Sequence, residues 1–239
     1  MTGPTARERF DALPTEAHDP AVADLDLRST VELVRLMNAE DAAVPTAVAR
    51  AADRIAAAID AVSERLGEGG RLVYVGAGTS GRLALVDAAE CESTFAVAPG
   101  RVVALIAGGA SAAATAQEEA EDDAEAGAAA VRDLAVGPAD AVVALSASGR
   151  TPYVLAALEE AREAGAATVA VVSVTGSVLG ASAEHEIVVL VGPEVIAGST
   201  RLKAGTAQKL VLNMISTIAM VRLGKTYGNL MVDVVATND

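Results

Sequence analysis

At 239 residues, with 52% hydrophobic side chains drawn mostly from Ala, Val and Leu, the chain can bury a core of small aliphatic groups in one domain with an appendage. Its formal net charge of −14 argues against a nucleic-acid face, and a single cysteine with two distant histidines, His18 and His185, excludes a disulfide framework and a zinc cluster, so no metal is expected. Apolar stretches are cut by charge before the ~20 residues of a membrane span, and the N-terminus shows no basic-then-apolar leader, so the chain reads as cytoplasmic with no membrane partner.

Residues 1–28 carry Pro4, Pro14 and Pro20 among scattered charges without a sustained period, and read as an arm lacking its own core. At Ser29 a capping box opens with Glu32 three residues on, and Val31, Leu33, Val34 and Met37 follow at helical spacing. A second helix is expected across 42–66, where Val44, Val48, Ala51, Ile55, Ile59 and Val62 recur every three or four residues. Gly67, Gly69 and Gly70 end it. Short β-branched runs at 72–75, 102–106, 141–145, 168–172 and 187–190 then alternate with Ala-rich helical stretches. Continuous apolar strands of this kind are covered on both faces, which predicts an α/β fold: a three-layer αβα, doubly wound, mainly parallel five-stranded sheet. A last helix over 204–223 presents Leu210, Val211, Met214, Ile215, Ile218 and Val221 on one side, for the core or a dimer contact. The expected division is an arm with helices at 1–61, the α/β domain at 62–225 and a C-terminal tail at 226–239.

Ligands of doubly wound sheets sit beyond the strand C-termini. Three loops there are small and polar: Gly76-Ala77-Gly78-Thr79-Ser80-Gly81, Ser146-Ala147-Ser148-Gly149-Arg150-Thr151 and Ser173-Val174-Thr175-Gly176-Ser177. The first matches the dinucleotide fingerprint, but the next strand closes Ile106-Ala107-Gly108-Gly109 without the acidic residue a ribose needs, so no cofactor is expected. In the second, three hydroxyls and free amides precede Pro152 at a helix start, a phosphate cradle without a Walker lysine. Helix capping alone would explain one of those hydroxyls. The segment 192–209 crowds Ser199, Thr200, Arg201, Lys203, Thr206 and Lys209 ahead of a helix, against the acidic trend of the chain, and points to a bound anion, phosphate first. Its plain alternative is a surface turn with solvated charges.

Taken together, Val75 to Leu83, Asp87-Ala88-Ala89-Glu90-Cys91, Ile106 to Gly109, Ser146 to Tyr153 and the 192–209 segment resemble the bacterial N-acetylmuramic acid 6-phosphate etherases, members of the sugar isomerase (SIS) superfamily. The resemblance runs in one register from about Thr15 to Asn238; other SIS proteins would match only the two loops. The sequence departs from the family pattern at Glu92-Ser93, where a Pro pair is usual, and at Asp239, beyond which relatives generally continue into a small helical domain. The resemblance implies phosphate on Ser146, Ser148 and Thr151 with help from Ser80, the sugar on the loop of Gly78 and Thr79, and further substrate contacts from Arg150, Ser199, Thr200, Arg201 and Lys203. It places the acid/base pair on Glu90 and Glu121. From the residues alone, Glu90 could end an apolar helix facing solvent, and six of the eight residues 118–125 are acidic, so a solvated face is the default for Glu121.

The implied substrate is a 2-acetamido sugar with a lactyl ether at C3 and a phosphate at C6. Elimination is easier than hydrolysis of an ether, because in the open-chain form the C1 carbonyl acidifies the C2 proton. Two carboxyl groups in opposite protonation states serve it. By resemblance Glu90 is the acid and Glu121 the base. The alternatives are an SIS-type sugar-phosphate isomerase and a non-catalytic phosphosugar-sensing regulator. SIS relatives commonly dimerise, so a homodimer with sites near the subunit interface is expected.

Overall fold

The computed structural model describes residues 15–233; Pro4 and Pro14 of the arm and residues 234–239 of the tail lie outside that range. Two 3₁₀ turns, Pro20–Val22 and Leu25–Leu27, lead to helix α1 (Thr30–Asp41). The capping box forms as expected. The Glu32 carboxylate accepts from the Ser29 backbone N–H at 2.8 Å and from its hydroxyl at 2.5 Å. Its apolar stripe stays outside the core, with Val31 and Val34 exposed. The single helix expected over 42–66 is two, α2 (Val44–Arg50) and α3 (Ala52–Gly67). Ala51 leaves the helical region at φ −94° and ψ 7°, and its N–H turns back to the Val48 carbonyl. Period alone does not reveal such a break, because both halves keep their stripes in phase.

The α/β part follows as β1 (Leu72–Gly76), α4 (Gly78–Phe95), β2 (Val102–Ile106), 3₁₀ turns at Gly109–Ala113 and Glu118–Asp122, α5 (Ala124–Asp133) and β3 (Ala141–Leu145). It continues with α6 (Pro152–Glu163), β4 (Ala167–Val172), α7 (Val178–Ser182), β5 (His185–Val188), α8 (Lys203–Arg222) and a small hairpin, β6 (Thr226–Tyr227) with β7 (Leu230–Met231). The five main strands are all parallel in the order β2-β1-β3-β4-β5. Strand β5 begins two residues before the expected 187, because His185 already pairs with Val169.

Alternation along the strands divides the core. Leu72, Tyr74, Val143, Leu145, Val169 and Ile187 face the layer of α2, α3, α4 and α8, and Val73, Val75, Val142, Ala144, Ala170 and Val172 face α5, α6 and α7. Helix α8 divides its apolar residues: Val211 and Ile215 are in the core, while Met214, Ile218 and Val221 remain exposed. Between these helices the buried Asp87 of α4 accepts from Tyr74 Oη at 2.8 Å, Asn213 Nδ2 at 2.7 Å and Ser216 Oγ at 3.2 Å. A carboxylate so satisfied locks α4 to β1 and α8, and with them the loops at their ends. No described helix is long and apolar enough to cross a membrane.

From β1 the chain winds outward to β2 on one side, and from β3 outward to β4 on the other. The crevice of such a sheet opens where that direction reverses, past the C-termini of β1 and β3.

Candidate active site

A cavity of about 490 Å³ occupies that crevice. Its wall after β1 is the turn of Gly78, Thr79 and Ser80, and its wall after β3 is the loop of Ser146, Ser148 and Thr151. Ser199, Thr200 and Arg201 come in from the segment ahead of α8, and Glu121 from the 3₁₀ turn before α5. Residues far apart in sequence meet here because parallel strands present their C-terminal loops at one edge.

The β3 loop is wound around its hydroxyls. Ser146 Oγ, buried at 3% exposure, lies 2.9 Å from Thr151 Oγ1 and 3.4 Å from Ser148 Oγ, and accepts from the Gly149 N–H at 3.1 Å. Gly149 holds φ at +62°, and a Cβ there would meet the Ser177 Cβ at 2.4 Å, so only glycine fits. Thr151 makes no side-chain cap to α6, which leaves the first amides of that helix available to an anion beside the hydroxyl cluster.

Glu121 faces the opposite wall. Burial pushes its carboxyl above the ordinary glutamate range, the neighbouring charges of Asp122 and Glu118 push the same way, and the Arg82 guanidinium pulls it back. Arg82 also braces the strand-end loop, donating from Nε to the Ala112 carbonyl at 3.0 Å and from Nη2 to the Thr115 carbonyl at 3.2 Å.

At the start of α8 the helix amides already hold an anion from the chain itself. The buried Glu194 carboxylate accepts from the backbone N–H of Lys203 and of Ala204, each at 2.9 Å, and so neutralises the helix terminus. The Lys203 side chain is buried as well, its ammonium 2.5 Å from Glu40 of α1. Lys203 is therefore a structural cation that ties α1 to α8, and it does not line the cavity that holds Arg201.

An N-acetylmuramic acid 6-phosphate etherase from Rubrobacter xylanophilus is 64% identical over 97% of this chain and 77% of its own length. This chain belongs to that etherase family. Etherases from Streptomyces coelicolor and Escherichia coli K12 are 57% and 52% identical, over 99% and 97% of this chain and 76% and 78% of their own lengths. The model of the glucokinase regulatory protein N-terminal SIS domain matches residues 54–162 of this etherase-family chain, and the SIS domain model matches 123–218. Among solved structures, a phosphoheptose isomerase from Francisella tularensis superposes with a TM-score of 0.63 at 19% identity, covering 81% of this chain and 100% of that one. The Vibrio vulnificus NanR protein complexed with ManNAc-6P gives 0.58 at 15%, covering 84% and 67%. At those identities the likeness is one of fold.

Not every expected site residue reaches the cavity. Glu90 is exposed on α4, twelve residues past Gly78, or about 18 Å along a helix. Arg150 is exposed and lines an adjoining cavity with Glu121, Ser148 and Thr151. Ser80 directs its hydroxyl proton to Gln208 Oε1 at 2.8 Å, so what it offers a ligand is a lone pair rather than a donor to phosphate. The departure at Glu92-Ser93 lies in the last turn of α4, which runs on to Phe95 where two prolines would have removed backbone donors.

Other residues enter without a signal in the sequence. Glu16 lines the cavity from the arm, held there by the Gly198 N–H donating to the Thr15 carbonyl at 3.0 Å. Gln208 is 2% exposed and its Nε2 has no partner among the described residues. Arg82 sits inside the Gly-Thr-Ser-Gly-Arg motif, where its position was visible and its bracing of a distant loop was not.

Proposed function

We propose that this chain cleaves the D-lactyl ether of N-acetylmuramic acid 6-phosphate, releasing D-lactate and leaving N-acetylglucosamine 6-phosphate, in the cytoplasmic recycling of cell-wall amino sugars. Residues 62–225 form the unit that carries the chemistry. The observation that carries the reading is Glu121, its carboxyl raised by burial, set against Gly78 in the cavity that also holds the Ser146, Ser148 and Thr151 hydroxyls.

Phosphate on the β3 loop and the first amides of α6 anchors C6 and orients the sugar. Thr79, Ser199 and Thr200 receive the sugar hydroxyls, and Ser80 accepts from one of them. In the open-chain aldehyde Glu121 removes the C2 proton as the C3–O bond breaks, and Glu90 protonates the departing lactyl oxygen. Water then adds to the C2=C3 bond: its oxygen bonds to C3, its proton passes to Glu90, and Glu121 returns a proton to C2. Each acid/base group is worth roughly 10²–10⁴-fold.

Glu90 lies too far along α4 to act in its own cavity, so a homodimer supplies it from the partner subunit. One turn before it, Val86 is exposed, and α8 beside it exposes Met214, Ile218 and Val221, an apolar face suited to a second copy.

The direct test is release of D-lactate from N-acetylmuramic acid 6-phosphate by the purified protein. Interconversion of phosphosugars without lactate would assign the cavity to an isomerase, and tight phosphosugar binding without turnover would make the chain a regulator.

A further inference from the structure

A second, smaller cavity of about 230 Å³ adjoins the first, sharing Thr79 and Arg201 with it and otherwise lined by Leu83, Gly205, Thr206 and Lys209. No acidic side chain lines it, whereas the main cavity holds Glu16, Glu118 and Glu121. Among the described residues the Arg201 and Lys209 side chains form no ion pair, unlike Lys203 between them in sequence. Both cations are exposed and line an acid-free hollow in a chain with net charge −14, where an anion from outside can reach them.

Phosphate is already provided for on the β3 loop. The substrate of the etherase reading, on which this inference rests, carries one other anion, the carboxylate of the lactyl group on C3. Glu121, which works at C2, lies against Gly78, and the next residue, Thr79, forms the border between the two cavities. A substituent on the neighbouring carbon therefore leads toward the small one.

We infer that Arg201 and Lys209 form a carboxylate subsite for the lactyl group, distinct from the phosphate cradle. A guanidinium fork matches a planar carboxylate, and an ammonium beside it adds a second charge-assisted hydrogen bond. Holding the carboxylate fixes the ether oxygen for protonation and favours lactyl-bearing sugars over plain phosphosugars, which leave both cations unsatisfied.

Calorimetric binding to the Glu121→Gln protein, which does not turn substrate over, separates the two anions. N-acetylmuramic acid 6-phosphate and N-acetylglucosamine 6-phosphate differ only in the lactyl group. Adding Lys209→Met should weaken the muramic ligand about tenfold and change the glucosamine ligand less than about twofold, and Lys209→Arg should recover most of the loss. Equal weakening of both ligands, or of neither, overturns the subsite. If the Glu121→Gln protein binds neither sugar phosphate, the etherase reading falls and the subsite with it.

Discussion

Oε1 of Glu121 lies 2.9 Å from the point a Cβ on residue 78 would occupy, so the turn after β1 is glycine where a carboxylate comes against it. Gly78 also holds φ at +52°, a region that side chains disfavour. Gly78→Ala is expected to displace Glu121 and lower kcat/KM about 10²-fold, at a stability cost of only about 1–2 kcal/mol. Steady-state kinetics beside urea denaturation checks both; unchanged kinetics would show that the carboxylate need not stand there.

The raised carboxyl of Glu121 has consequences of definite sign. Above its folded-state pKa the ionised, half-buried group opposes folding, and below the ordinary carboxylate range the protonated form does not. Glu121→Gln should therefore raise Tm at neutral pH, with the difference vanishing in acid. As a base Glu121 must be ionised, so the acid limb of kcat/KM is expected above the ordinary glutamate range. Arg82→Met removes the cation that pulls the carboxyl down and should move that limb to higher pH.

Lys203→Met is expected to lower stability by about 1–3 kcal/mol, through the lost pair with Glu40, and to leave the affinity for N-acetylglucosamine 6-phosphate within about twofold. Glu194→Ala leaves the buried amides of Lys203 and Ala204 without an acceptor and should cost about 1–3 kcal/mol. Thermal melts and calorimetry separate these from a substrate-binding role, which would instead lower affinity at equal Tm.

Strands, layers and strand-end loops were legible because continuous apolar runs and Gly/Ser-rich turns are local signals, and Ser146, Ser148 and Thr151 stood together within six residues. What was hidden depends on distance. The Glu40 partner of Lys203 lies 163 residues away, and Glu194 reaches its amides across nine and ten, spacings that no helical or strand period encodes. Of the cation cluster that read as an anion site, Lys203 and the helix amides already have partners within the chain, while Arg201 and Lys209 have no ion pair among the described residues. Glu121, in a run whose composition suggested solvent, is turned inward by a short 3₁₀ turn before α5. Glu16 lies in an arm whose contact with Gly198 no local pattern announces.

If each site combines Glu121 of one subunit with Glu90 of the other, two inactive variants should complement. A mixture of Glu90→Gln and Glu121→Gln proteins after subunit exchange forms heterodimers with one intact site and one doubly altered site. About a quarter of wild-type activity is expected. A mixture as inactive as its parents would place both carboxylates in one subunit.

In the proposed reaction Glu121 takes the C2 proton of a phosphosugar gripped by the β3 loop. Turnover of N-acetylmuramic acid 6-phosphate in D₂O, read by NMR and mass spectrometry, tests it most directly. One deuterium is expected at C2 of the N-acetylglucosamine 6-phosphate formed, with loss of both deuterium incorporation and lactate release in Glu121→Gln. Lactate released with C2 still carrying its original hydrogen, or a Glu121→Gln protein that works at the wild-type rate, would contradict it.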